Sequence, residues 1–234
     1  MRSHLFKTEN LLMVAAVLLA GTAPNLFVIS QAGYMKFSTL GKIALLPSAA
    51  GLIGLMVFTR IKYPRLGKKL LAGTSAGIIA TLGLELVREI GFHMGAMPGD
   101  LPKLMGVQLL DRFMSGPSLL SNIAGWGYHF WNGASFGIIL TLLLGGTRWF
   151  AGVIYGLLIG VGFMASPVVT ALGIGRFGVL FGPGFAITVV LAHAAFGLVL
   201  GLLLARWSPE KGMIAELFSG GECCGCSIDG KAAC

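Results

Sequence analysis

Glu85, Glu89 and His93 recur at four-residue spacing, which on a helix sets two carboxylates and an imidazole along one face. His129 and His193 stand in two later apolar stretches, and each opens the same pattern, His-x3-Gly-x3-Gly, completed by Gly133 and Gly137 or by Gly197 and Gly201. Imidazole with carboxylate is a donor set for zinc, iron, nickel, manganese or cupric copper. Asn132, one turn from His129 on the same stripe, could orient such a ligand. A softer donor set closes the chain: Cys223, Cys224, Cys226 and Cys234, the first and third forming a CxxC. In a reducing compartment such thiols bind soft metal or exchange disulfides. Their spacing is too compressed for a zinc ribbon, which needs two separated CxxC pairs.

The elements that must carry these groups are membrane helices. Hydrophobic residues make up 56% of the chain and charged residues only 11%, well below the roughly 25% charged fraction of soluble domains. The 36 glycines lack collagen periodicity and suit helices whose backbones approach closely. The net charge of +8 is no nucleic-acid signal, because the basic residues cluster in short segments between apolar spans. All four cysteines lie in the last twelve residues, which excludes a disulfide framework for the body.

Six spans are expected in an all-α polytopic bundle over residues 1–207, followed by a cytoplasmic tail over 208–234 that carries the cysteines. Leu11 to Ser30 reads as the first, kinked at Pro24, and Ile43 to Thr59 as the second. Arg60, Lys62, Arg65, Lys68 and Lys69 then form the densest basic loop, expected on the cytoplasmic side of the cell's inner (plasma) membrane. Leu70 to Ile90 runs outward as the third span. Asp100 and Pro102 start an amphipathic helix through Met114, lying on the outer surface as a connector. Ile123 to Gly145, Phe150 to Leu172 and Ala186 to Trp207 complete the spans, and Ser208-Pro209 starts a short helix to Phe218. Gly152, Gly156 and Gly160 give the fifth a small-residue packing face. The string Gly173-Ile174-Gly175-Arg176-Phe177-Gly178 joins apolar spans, so it reads as a glycine-rich loop and not a dinucleotide site. Trp126, Tyr128 and Trp131 are expected in an interfacial aromatic belt.

With both termini cytoplasmic, Glu85, Glu89, His93, His129 and His193 converge on the outer half of the bundle. The expected function is handling of a transition-metal ion, bound at this cluster and moved across the bilayer, with the cysteine tail accepting or sensing it on the cytoplasmic side. Two rivals use the same residues differently. His129 and His193 at equal depth could be axial ligands of a b-type haem, or the glycine faces could pack a non-catalytic component against a partner subunit or a second copy. In a further alternative the third helix leaves the hydrocarbon near Leu84, and Glu85 and Arg88 are an ordinary surface pair. The expected partner in every case is the lipid bilayer.

Overall fold

A backbone denied water must close its hydrogen bonds within each segment, and this chain does so with helices. The computed structural model describes residues 2–146, 148–208 and 212–214, with side chains from residue 8 onward. The cysteine tail and most of the helix expected after Ser208 lie outside the described residues. The fold is all-helical, and no strand occurs among the described residues. Four helices are long and apolar enough to cross a membrane: Thr8–Gln31, Phe37–Lys62, Pro64–His93 and Pro183–Trp207. Trp149–Ala165 is apolar but shorter.

Helix α1 (Arg2–Gln31) contains Pro24. The missing N–H leaves the Ala20 carbonyl without its usual partner. The second span starts six residues earlier than its apolar run suggests. Short α2 (Phe37–Leu40) feeds a π turn at Gly41–Leu45 and then α3 (Leu46–Lys62). The expected basic loop is a correction: only Tyr63 separates α3 from α4 (Pro64–His93). Pro64 pre-sets the first helical turn. Gly67 makes the tight reversal possible, since a Cβ there would stand 2.8 Å from the Arg60 backbone. The five basic residues thus belong to helix ends, a position their long stems allow.

Helix α5 (Leu101–Leu109) begins as expected, with the Asp100 side chain accepting from the Lys103 backbone N–H at 3.3 Å. It stops five residues short of Met114, where Asp111 turns to φ +52°. Nor does it lie free on a surface: Gly106 and Gly125 let its backbone press on α6 (Leu119–Leu144). Gln31 Nε2 donates to Gln108 Oε1 at 2.6 Å, tying α5 to the end of α1. Ser118 and Ser121 form a reciprocal capping box that starts α6. The expected fifth span is broken in two, α7 (Trp149–Ala165) and α8 (Pro167–Ala171), because Pro167 cannot continue the preceding helix. The glycine-rich string is a loop, with Gly173, Gly175 and Gly178 all at positive φ. Helix α9 (Pro183–Trp207) closes the bundle.

Two antiparallel glycine contacts fix the architecture. Gly73 and Gly77 of α4 face Gly133 and Gly137 of α6; Gly152 and Gly156 of α7 face Gly197 and Gly201 of α9. Each His-x3-Gly-x3-Gly pattern therefore meets a Gly-x3-Gly on the preceding long helix. Helix α4 also packs on α9 and joins the two pairs. Helix α1 lies against α6 and α7 against α9, with α8 touching both α1 and α7 at the His93 end.

Candidate functional site

Because α6 and α9 begin earlier than expected, His129 and His193 each stand ten residues in, after Leu119 and after Pro183. At about 1.5 Å per residue both lie on the order of 15 Å below the His93 end. Their equal depth is retained, but their surroundings differ.

Glu85 is 8% exposed and Arg88 5%. Arg88 Nε donates to Glu85 Oε1 and Oε2 at 2.9 and 2.8 Å, and its Nη2 meets Oε2 at 2.7 Å. This is the i, i+3 pair of the surface alternative, yet it is buried. His129 Nε2 lies 2.9 Å from Glu85 Oε1, so the imidazole N–H donates across from α6 to α4. Arg88 Nη2 also donates to Glu89 Oε2 at 3.0 Å. Glu89 is half exposed and reaches His93 Nε2 at 3.5 Å, toward the helix end. Trp126 stands edge-on to His129, with centroids 6.1 Å apart.

His193 has a different environment. Its Nδ1 donates to the Val189 carbonyl at 2.8 Å, and its ring stacks on Phe163 at 6.2 Å. With Nδ1 protonated, the neutral ring keeps an acceptor lone pair at Nε2. Gly160 makes room for it: a Cβ there would fall 2.9 Å from the imidazole. At the corresponding place in the other pair, Thr81 fills the space beside Gly133.

The five expected ligands therefore divide. Glu85 and His129 form one contact, Glu89 and His93 another, and Arg88 holds the two carboxylates between them. Among the described residues no group of three or more His, Cys, Asp or Glu side chains could hold a metal ion. Cys223, Cys224, Cys226 and Cys234 lie outside the described residues.

What brings His129 and His193 together is a cavity of about 440 Å³, walled by both. Its wall is mostly apolar, including Phe27, Leu84, Met105, Phe136, Ile159 and Phe196. Leu101, Pro102 and Met105 of α5 and Val168 of α8 also contribute, so both short helices border it. Arg88 and Asn132 are in the wall too. Arg88 Nη1 and Asn132 Oδ1 are buried without a hydrogen-bond partner among the described residues.

Sequence reasoning assigned Arg88 no role beyond a surface pair and gave the cavity no place. The signal for Arg88 was a cation between two carboxylates in a sequence otherwise apolar for fifteen residues. The aromatic belt also needs correction. Tyr128 is buried, donates to the Ala23 carbonyl at 2.6 Å and stands edge-on to Phe37, while Trp131 packs against the core. Comparison with protein-family models, curated proteins and solved structures returns no match, so function is read from the site's own geometry.

Proposed function

We propose that this chain is a six-span protein of the cell's inner (plasma) membrane that binds a small ligand between its helices and passes it across the bilayer. The observation that carries this reading is the 440 Å³ cavity whose wall includes Arg88 and His129, both of them held by the buried carboxylate of Glu85. Ligand sites are typically concave, mostly apolar and furnished with a few converging polar groups. Ionisable groups inside a membrane are costly and commonly mark a substrate or proton path. Helices α6 and α7 supply the fifth and sixth spans: α6 has 26 residues, and the 17 of α7 reach about 26 Å. Glycine contacts between paired helices suit small rocking motions.

A transition-metal ion as cargo is the second reading, favoured because His129 and His193 wall one cavity. The cysteine tail would then receive the ion on the cytoplasmic side. Haem between the same histidines is its redox variant.

Purified protein separates these readings. We expect a small organic molecule to co-purify, to be lost from Gly162→Phe, and to come without a Soret band or a stoichiometric metal. Gly162 is an exposed residue of the cavity's lining, and a Cβ there meets nothing within 4 Å, so the backbone accepts a side chain at the cavity's edge, where a phenyl ring would obstruct it. A bound metal lost in His129→Ala and His193→Ala would replace this reading with the ion. A Soret band would replace it with haem. None of the three would leave a packing subunit for a membrane partner or second copy.

The basic ends of α3 and α4 support an orientation with both termini in the cytoplasm. A thiol reagent that cannot cross membranes should leave Cys223 to Cys234 unlabelled in intact cells and label them after lysis. Labelling in intact cells would reverse the topology.

A further inference from the structure

Resting on the cavity reading, we infer that the ligand is a neutral lipophile with a hydroxyl head, such as a long-chain alcohol, bound with that head among Arg88, Asn132 and His193. The polar groups of the wall determine the class. Thr81 and Ser166 already donate to backbone carbonyls, those of Gly77 and Phe163. Among the wall's side chains, one buried donor, Arg88 Nη1, and one buried acceptor, Asn132 Oδ1, have no hydrogen-bond partner among the described residues, and with Nδ1 given to Val189 the His193 ring offers Nε2 as a further acceptor. A hydroxyl both accepts and donates, so one such head answers both kinds of group.

Charge excludes the obvious competitor. A lipophilic carboxylate would seek Arg88, but Glu85 already neutralises that guanidinium through close contacts to both of its oxygens. An added anion would place a second negative charge beside Glu85 in a medium of low dielectric. A bare hydrocarbon fails for the opposite reason, since it leaves the donor and both acceptors unpaired.

The rest of the cavity fits an apolar tail. Away from those polar groups its wall is lined by aliphatic and aromatic side chains such as Phe27, Leu84, Ile159 and Phe196. Access suits a molecule dissolved in the bilayer. Helices α1 and α7 both contribute to the wall without packing closely on each other; α8 touches both at the His93 end, and α6, which packs on α1, accepts a hydrogen bond from Tyr155 of α7. A lipophile could enter sideways there without crossing water.

The test uses the full-length protein in nanodiscs and three hexadecyl probes, each with a photoreactive diazirine in the tail. Their heads are a hydroxyl, a carboxylate and a plain methyl terminus. Labelled peptides are mapped by mass spectrometry with and without excess hexadecanol. The hydroxyl probe should label peptides of α1 and α7 saturably, with the other two at least about fivefold weaker, as expected for one lost hydrogen bond near 1 kcal/mol. Gly162→Phe should abolish that labelling. Asn132→Leu should weaken it by about five- to tenfold while changing the thermal midpoint little, because the loss of its amide contact with Tyr128 is set against the removal of a buried acceptor that has no partner among the described residues. Equal or stronger labelling by the carboxylate or hydrocarbon probe overturns the hydroxyl class but leaves the cavity reading standing, provided it remains sensitive to Gly162→Phe. Labelling by all probes that ignores Gly162→Phe overturns the proposed class and the cavity reading together. So does hydroxyl labelling unchanged by both substitutions.

Discussion

Arg88→Met should lower the unfolding midpoint in detergent by about 6–20 °C. Removing one partner of a buried ion pair typically costs about 3–5 kcal/mol, and a chain of this size loses roughly 2–4 °C per kcal/mol. The cost has a definite source. Without the guanidinium, Glu85 keeps only the His129 N–H as a hydrogen-bond partner among the described residues while remaining 8% exposed, so its charge is left poorly compensated. Glu85→Gln should destabilise comparably, by leaving Arg88 with only half-exposed Glu89. The double variant Glu85→Gln/Arg88→Met should recover a large part of either loss, because it removes both charges at once. Glu89→Gln is the control: its exposed carboxylate contributes at most about 1 kcal/mol. Scanning calorimetry or dye-monitored melting of the four variants measures the coupling. Additive losses in the double variant would mean that the pair is hydrated and that the polar wall of the cavity is not as tight as its geometry indicates.

The helices were legible because apolar length is a local property; their ends were not. Arg60 to Lys69 read as a loop because charge normally marks water, whereas long basic side chains can extend from helix ends while the backbone stays helical. Pro167 was a readable break that an otherwise uninterrupted apolar run concealed. At the site, the alignment of Glu85, Glu89 and His93 on one face was correct as helix geometry. Which of them face protein was not legible, because a helical wheel does not show what packs beside it. Glu85 turns to α6 and meets His129, while Glu89, four residues on, is half exposed near the helix end. The repeat of His129 and His193 was visible, but their different roles depend on residues of another helix, Thr81 in one pair and Gly160 in the other. Asn132 was given a supporting part beside His129, and its buried unpaired oxygen is a tertiary fact. The cavity was invisible from sequence, being the space left by seven helices at once.

The other large effect belongs to the glycine contacts. Gly77→Leu is expected to prevent recovery of a monodisperse protein, and Gly137→Leu to do the same. At Gly77 even a Cβ would collide with the Gly133 carbonyl, and the Ala134 Cα would stand 2.9 Å away. Those atoms are backbone, so no rotamer change relieves the clash; α4 and α6 must move apart. Overpacking a well-filled core costs about 1–3 kcal/mol when side chains can adjust, and this contact has none to adjust. The separation would also pull Glu85 away from His129, since both lie beyond the contact on the same pair of helices. Gly54→Leu is the matched control, because a Cβ there meets nothing within 4 Å and the helix faces outward. In a bilayer, leucine at such a place replaces lipid contact with lipid contact and should change stability by less than about 1 kcal/mol. Size-exclusion profiles and melting midpoints of the three variants are the measurement. Should Gly77→Leu elute and melt like Gly54→Leu, α4 and α6 are not in backbone contact, and the cavity they help to wall would have to be redrawn.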